Sequence, residues 1–240
     1  MVLVQPSIYG NDNSCMLSAL RDLGPERGRA VVTFDPESID SATLREWHGL
    51  GVRGVRLNLV SVGKHMDTTE LATTLKQYAN VIKPLDWVLQ LYVPLGMASD
   101  LENIVPVLDV RVCLDHFGNP TLPDPSAGEA FSRALDPYTL PGFNSLITLL
   151  RQGSTYVKLS APYRISKHKT LLDLEPVAKE LLKLVGKTRV VFATDWPHTR
   201  FEGLDIRPFI ERVLEWCGDD EELVERLFRG NAEELWGVKG

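Results

Sequence analysis

Seven short apolar runs recur along the chain, and each ends in a polar or charged residue. Each run is rich in Val, Leu and Ile and nearly continuous in hydrophobicity, which is typical of parallel strands covered on both faces. Stretches with helical spacing separate them, among them residues 13–23, 68–83 and 175–185. Strands that alternate with helices predict crossover connections and a parallel α/β sheet. The runs begin at Val2, Ala30, Gly54, Val88, Val110, Tyr156 and Val190.

The length of 240 residues suits one α/β barrel, which needs about 200 to 250 residues. We find no linker or charge run that divides the chain, so we predict a single domain over residues 1–240. Seven strands are one fewer than a (β/α)₈ TIM-type barrel requires, and the first run starts directly after Met1. We therefore predict an α/β barrel of this type without its first βα unit. An open seven-stranded sheet is the alternative.

Two further segments have a predicted form. Residues 121–142 contain four prolines and directly follow Pro120, and we interpret them as a long connection after the fifth strand. Residues 219–236 are acidic and amphipathic, and they predict one C-terminal helix that buries Leu223, Leu227 and Leu235.

Composition and charge exclude several classes of function. The net charge of -6 and the lack of a basic stripe argue against a nucleic-acid partner. No apolar stretch approaches the roughly 18 residues that span a bilayer, and the N-terminus lacks the pattern of a signal peptide. Three cysteines far apart favour reduced thiols over disulfides. We expect a cytoplasmic protein whose partner is a small molecule and neither nucleic acid nor a membrane.

Two of the apolar runs end in an aspartate and a histidine. The run at Val190–His198 supplies Asp195 and His198, and the run at Val110–Pro120 supplies His116. Because parallel strands carry catalytic groups at their carboxyl ends, an enzyme is the leading interpretation. Asp195 is a candidate for the general base that activates water, and the alternative is that it caps the following helix. His116 suits stabilisation of an oxyanion, with a structural core histidine as its alternative, and His198 is a candidate substrate contact.

The remaining candidates are side chains that could bind a polar or anionic substrate. Arg56 and Asn58 alternate with apolar residues along the third run. A buried arginine is costly without a partner, so Arg56 either binds a substrate carboxylate or forms an internal salt bridge. Arg164 is a second candidate for the anion. Hydrogen bonds to substrate oxygens are predicted for Ser7, Tyr9 and Tyr92.

Six motifs are spread along nearly the whole chain. They are Val4–Asn13, Gly51–Leu59, Leu114–Pro120, Val157–Arg164, Thr194–His198 and the terminal GNAEELWG at residues 230–237. In this order they make the chain resemble the amidohydrolase-related (amidohydrolase 2) family, in its 2-pyrone-4,6-dicarboxylate lactonase-like branch. The resemblance implies a (β/α)₈ barrel that hydrolyses C–O or C–N bonds at its strand ends. It also implies that Ser7, Arg56, Tyr92 and Arg164 occupy substrate-contact positions.

The chain departs from this family in one respect. The family has a His-x-His pair on its first strand, and none of the five histidines here forms one. We interpret this as absence of the first βα unit, through a truncated gene model, an alternative start or real loss. A catalytic zinc wants three protein ligands and one open position. Since the His-x-His pair is absent, and the lactonase-like branch is implied to work without metal, we expect no metal and no other cofactor.

The sequence thus predicts a metal-independent hydrolase of a small carboxylated lactone, with Asp195 activating water and His116 assisting the carbonyl oxygen. One alternative is a metal-dependent amidohydrolase or decarboxylase of the same superfamily. Another is a catalytically impaired remnant or binding protein. Absence of one βα unit would expose strand edges, through which two copies could form a homo-oligomer.

Overall fold

The computed structural model describes residues 1–124 and 134–237. The strands are Val2–Val4 (β1), Arg29–Val32 (β2), Val52–Asn58 (β3), Val88–Tyr92 (β4), Val112–Leu114 (β5), Thr155–Leu159 (β6) and Val190–Phe192 (β7). The helices are Ser14–Leu23 (α1), Ser41–Leu50 (α2), Thr68–Ile82 (α3), Ala98–Ile104 (α4), Phe143–Arg151 (α5), Glu175–Val185 (α6), Arg207–Cys217 (α7), Glu221–Glu225 (α8) and Asn231–Leu235 (α9).

The chain divides into two compact units, and the first comprises Met1–Val93, Asn103–Cys113 and the residues from Glu233 onward. Its strands lie in chain order from β1 to β5. The pairing is parallel from β1 to β4, with Arg56 opposite Gln90. The middle residues of β2 to β5 are almost completely buried, which matches the apolar runs of the sequence, whereas the residues of β1 are only partly buried.

The second unit comprises Pro94–Glu102 and Leu114–Ala232, so it contains the last residue of β5 together with β6 and β7. Strands β6 and β7 pair in parallel, with Val157 opposite Val190. Each strand follows a helix whose apolar stripe is buried: Leu146 and Leu150 on α5, and Leu181 on α6. The prediction of a single domain stays a prediction.

All seven predicted strands are confirmed, and the helices predicted at residues 13–23, 68–83 and 175–185 are confirmed to within one residue. Local sequence explains where helices begin. Asp40 caps α2 by accepting from the backbone N–H groups of Ala42 and Thr43. Asp67 and Glu70 form a complete capping box at the start of α3.

The C-terminal helix predicted over residues 219–236 is confirmed as a continuous helical segment from Glu221 to Leu235, which contains one irregularity. Helices α8 and α9 are separated by a π-helical turn at Arg226–Gly230. Just after this turn, the fully buried Asn231 donates hydrogen bonds from Nδ2 to the carbonyl oxygens of Gly186 and Val190. A π-helical turn holds an extra residue, so it can re-aim a side chain such as Asn231. The predicted burial of Leu223, Leu227 and Leu235 is confirmed.

Part of the predicted connection over residues 121–142, namely residues 125–133, lies outside the described residues. Across the described ranges, none of the helices has both the length and the apolar character that a membrane-spanning segment requires.

Candidate active site

Three of the predicted site residues of the second unit have a left-handed backbone conformation. The φ angles are 50° at His116, 60° at Asp195 and 59° at His198. This conformation is uncommon outside glycine, although Asp and His are enriched in it, and it costs about 1–3 kcal/mol. Such residues cluster at functional sites, where the surrounding structure enforces them. The left-handed backbone conformations after β5 and β7 therefore support the choice of His116, Asp195 and His198 as site residues.

The two carboxylate oxygens of Asp195 have different environments. Oδ2 accepts a hydrogen bond from the Tyr163 hydroxyl at 2.6 Å and another from Nε of Arg164 at 2.9 Å. Oδ1 lies 4.0 Å from Nε2 of His116 and accepts no hydrogen bond from the described residues. No backbone N–H among those residues donates to the carboxylate, so Asp195 does not act as a helix cap. One oxygen is anchored, and the other can bind a water molecule.

His116 is 4% exposed and directs its two ring nitrogens to different partners. Nδ1 lies 2.8 Å from Oγ of Ser160, which immediately follows β6. Nε2 is the nitrogen on the side of Asp195. The two groups predicted to be catalytic are thus close together, at a separation that can accommodate a bridging water or a substrate oxygen.

Tyr163 connects Asp195 with His198. Its hydroxyl donates to Asp195 and also lies 3.4 Å from Nδ1 of His198. Its ring packs edge-on against the His198 ring and lies 4.7 Å from the ring centroid of Phe201. Burial, followed by the hydrogen bond to Asp195 and its negative charge, raises the pKa of Tyr163 above its ordinary value. The phenol therefore stays protonated and continues to donate at neutral and mildly alkaline pH.

Arg164 is bound closely to the protein itself. In addition to the bond from Nε to Asp195, it donates from Nη2 to the carbonyl oxygen of Thr199 at 3.2 Å. Its guanidinium lies 5.2 Å from the ring centroid of Tyr163 and 5.4 Å from that of Phe201. These contacts fix the guanidinium and, through it, the orientation of the Asp195 carboxylate.

A second ion pair lies at the end of β5. Nζ of Lys158 is 3.2 Å from Oδ1 of Asp115, and the two side chains are 8% and 2% exposed. Lys158 and Ser160 are two residues apart, so they face the same side of β6. Their partners, Asp115 and His116, are adjacent in the chain. This arrangement attaches the segment that carries His116 to β6 at two points.

The first unit contains the other predicted residues. The guanidinium of Arg56 lies 5.4 Å from the ring centroid of Tyr92, and Asn58 is opposite Tyr92 in the sheet register. Oδ1 of Asn58 accepts from the Ser61 N–H, while its buried Nδ2 finds no hydrogen-bond partner among the described residues. The structure thus brings Arg56, Asn58 and Tyr92 together. Ser7 and Tyr9 lie in a short 3₁₀ turn, and both are exposed.

A cleft of about 280 Å³ in the first unit contains none of the predicted site residues. It is lined by residues that follow β2 and β3 and by residues of α3, including Phe34, Lys64 and Tyr78. We assign no role in the proposed chemistry to this cleft.

The side-chain donors of the described residues do not form a metal site. Within residues 1–124 and 134–237, no three side chains of His, Cys, Asp or Glu are grouped so that they could hold an ion. A catalytic zinc requires three such protein ligands. The described residues therefore do not fit a metal centre, and no chemical step is derived through one.

Sequence reasoning did not identify Ser160 or Tyr163 as site residues. Both lie in the motif Val157–Arg164, directly after β6. The signal was available in principle, since this strand end is a neighbour in sheet order of the strand end that supplies Asp195. Within this motif the charge of Arg164 favoured that residue as the candidate.

Parallel strands in chain order, with an imidazole and an anchored carboxylate at strand ends, define an α/β enzyme of the hydrolase class. The family model of the amidohydrolases (Amidohydro_2) matches residues 1–238. The chain belongs to this amidohydrolase family.

Several relatives are similar over much of the chain. A 4-sulfomuconolactone hydrolase of Hydrogenophaga intermedia is 28% identical over 98% of this chain and 74% of its own length. A 2-pyrone-4,6-dicarboxylate hydrolase of Comamonas testosteroni is 28% identical over 82% of this chain, and the match spans 62% of that protein. The chain thus corresponds to about two thirds to three quarters of these relatives.

Solved structures confirm the predicted fold class. The crystal structure of a proposed 2-pyrone-4,6-dicarboxylic acid hydrolase from Pseudomonas putida matches 100% of this chain and 82% of that chain. The TM-score is 0.78 and the sequence identity 31%. An amidohydrolase from Burkholderia multivorans shares the fold, with a TM-score of 0.80 and a sequence identity of 19%. The match covers 99% of this chain and 83% of that chain.

Proposed function

We propose that this protein hydrolyses a small carboxylated lactone without a metal ion, with Asp195 as the general base. One observation carries the proposal: Oδ1 of Asp195 and Nε2 of His116 are 4.0 Å apart, while Oδ2 is held by Tyr163 and Arg164. Asp195 can then act as a base, and His116 as a hydrogen-bond donor, on the same small molecule. The names of the two curated relatives, both hydrolases of lactones, support the choice of substrate class.

The reaction proceeds in two stages. A water molecule bound to Oδ1 of Asp195 attacks the lactone carbonyl carbon, and its proton passes to Asp195. The carbonyl oxygen becomes an oxyanion that accepts a hydrogen bond from Nε2–H of His116. The tetrahedral intermediate then collapses, the ring C–O bond breaks, and Asp195 returns the proton to the departing oxygen. Lactone and water yield one hydroxy acid, and the enzyme is restored.

Arg164 binds the carboxylate of the substrate in this proposal while its Nε–H holds Asp195. Arginine carries five N–H donors in a planar fork, which allows one side chain to serve two anions. His198, 6% exposed and packed edge-on against Tyr163, is a further proposed contact. The first-unit residues predicted to contact substrate are Ser7, Tyr9, Arg56, Asn58 and Tyr92.

A cytoplasmic location is also proposed. It is supported by the cysteines, since none of Cys15, Cys113 and Cys217 forms a disulfide in the structure.

The test is a panel of anionic lactones that includes 2-pyrone-4,6-dicarboxylate and 4-sulfomuconolactone, assayed with and without chelator. We expect turnover that chelator leaves unchanged and that Asp195→Asn lowers by about 10²- to 10⁴-fold, with an unchanged circular dichroism spectrum. An active, folded Asp195→Asn variant would exclude the proposed base.

The same experiment decides between the alternatives. Activity that disappears with chelator, in protein containing about one zinc per chain, would establish a metal-dependent hydrolase. A folded wild-type protein that turns over no lactone of the panel would favour the catalytically impaired remnant.

A further inference from the structure

Ser160 is a polar contact of the His116 ring, and it is almost completely buried. Its side-chain oxygen lies 2.8 Å from Nδ1 of His116, and the residue is 1% exposed. It immediately follows β6, so its position is set by a regular strand. Two residues earlier, Lys158 binds Asp115, the neighbour of His116. The serine hydroxyl and the imidazole are thus held in contact by the ion pair beside them.

The direction of this hydrogen bond follows from the number of donors and acceptors. A serine hydroxyl has one hydrogen to donate, and the bond to His116 is the only one that the described residues offer Ser160. If Nδ1–H donated to Oγ, the buried hydroxyl hydrogen would have no acceptor among these residues, at a cost of about 1–3 kcal/mol. If Oγ–H donates to Nδ1, the hydroxyl hydrogen is satisfied. The second arrangement is therefore favoured.

We propose that Ser160 is a positioning residue that holds neutral His116 in the tautomer with its hydrogen on Nε2. The proposal deepens the proposed function and rests on it for its catalytic consequence. In this tautomer Nδ1 accepts from Ser160, and Nε2–H is directed to the side of Asp195. The lone pair of Nδ1 is then occupied by the Ser160 hydroxyl, and Nε2 carries a hydrogen, so His116 presents no free basic nitrogen to a water molecule beside Asp195. His116 is thereby fixed as the hydrogen-bond donor to the carbonyl oxygen, and Asp195 is left as the base.

The tautomer can be measured directly by ¹⁵N NMR of histidine-labelled protein above about pH 8, where an ordinary imidazole is neutral. The His116 signals are assigned by comparison with His116→Gln. We expect a protonated Nε2 and an unprotonated Nδ1 in the wild type. We expect Ser160→Thr to preserve this pattern because it keeps the hydroxyl, and Ser160→Ala to produce a mixture of the two tautomers.

Kinetics supply the second measurement. Ser160→Ala is expected to lower kcat roughly tenfold or more on the lactone substrate with little change in KM, because a donor to the oxyanion acts in the transition state. Ser160→Thr should recover most of this loss. If Ser160 only filled space, the kcat values of Ser160→Ala and Ser160→Thr would not depend on whether the hydroxyl is present.

The proposal is overturned if wild-type His116 carries its hydrogen on Nδ1, or if Ser160→Ala leaves both the tautomer and kcat unchanged. The wild-type spectrum decides the first point even where Ser160→Ala does not fold. The NMR measurement needs no substrate, so it separates the two proposals. An Nε2–H tautomer in a protein that hydrolyses no lactone upholds the role of Ser160 and rejects the proposed function.

Discussion

The second unit contains two ion pairs of similar composition whose surroundings differ. Lys158 and Asp115 are 8% and 2% exposed, and they are sealed at the end of β5. Arg164 and Asp195 are 22% and 25% exposed. The first pair is closed to water, whereas the second keeps one carboxylate oxygen accessible. Burial therefore distinguishes the two pairs: Lys158–Asp115 has a structural role, whereas Arg164–Asp195 is accessible to a substrate or water.

The energetic consequences of the two pairs should differ in the same way. Removing one partner of a buried pair leaves an uncompensated charge in a poorly solvated place. Removing one partner of a partly exposed pair leaves a charge that water can solvate, so stability changes less. Identical substitutions of the two cations test this contrast directly.

Lys158→Met should cause the largest loss of stability. It leaves the Asp115 carboxylate buried without its cation, and we expect the free energy of unfolding to fall by about 3–5 kcal/mol. Chemical denaturation measures this value. In the matched control, Lys158→Met combined with Asp115→Leu, most of the loss should be recovered because no charge remains buried. A single variant as stable as the wild type would contradict the structural role of this pair.

Arg164→Met is the corresponding change in the partly exposed pair. Loss of a charge-assisted hydrogen bond to Asp195 is expected to lower kcat/KM by roughly 10- to 100-fold, while the free energy of unfolding falls by no more than about 1 kcal/mol. Steady-state kinetics and denaturation on the same preparation measure both. Arg164→Lys should restore little activity, since an ammonium cannot reproduce the planar fork. A stability loss as large as that of Lys158→Met would remove the distinction between the pairs.

Tyr163→Phe sharpens the comparison further because it removes one hydrogen bond to Asp195 and leaves the ion pair intact. We expect kcat to fall about tenfold and the ring packing against Phe201 to persist, since only the hydroxyl is lost. Kinetics of the variant beside the wild type provide the measurement. Unchanged kcat would show that Arg164 alone orients the carboxylate.

Tyr78 extends the contrast to a tyrosine whose hydroxyl serves stability. It donates to the carbonyl oxygen of Phe34, and burial, with a smaller contribution from the charge of Asp35, raises the pKa of Tyr78 to about 12. Because the folded-state pKa is raised, the neutral phenol stabilises the fold below the unfolded pKa of about 10, and this contribution is lost as pH rises towards 12. We expect a loss of about 1 kcal/mol by pH 11, measured by denaturation at several pH values.

The control for this measurement is Tyr78→Phe, which should be less sensitive to pH between about 9 and 11. An identical pH dependence in both proteins would assign the alkaline loss of stability to other groups.

The strands were predictable because their signal is local. A run of Val, Ile and Leu that ends in a polar residue contains both the strand and its boundary, as at Val190–Phe192 before Asp195. Helix starts were similarly visible where a capping side chain lies next to the helix, as at Asp67. The π-helical turn before Asn231 was not predicted, since the carbonyl oxygens that Asn231 contacts just after this turn lie more than 40 residues away in the chain.

The partners of the site residues were also beyond local reasoning. The sequence indicates Arg164 only as a contact for a substrate anion, because its bond to Asp195 spans 31 residues of chain. Ser160 and His116 are 44 residues apart. Neither spacing carries a periodicity that a sequence pattern can reveal.

The sequence by itself determined where the strands lie and which reactive side chains stand at their ends, because apolar burial and backbone preference act over a few residues. Only the tertiary structure decided which oxygen of Asp195 is anchored, which nitrogen of His116 faces it, and which ion pair is sealed. Hydrogen bonding and exclusion of water depend on atoms brought together from distant parts of the chain, and their geometry exists only after the strands have paired.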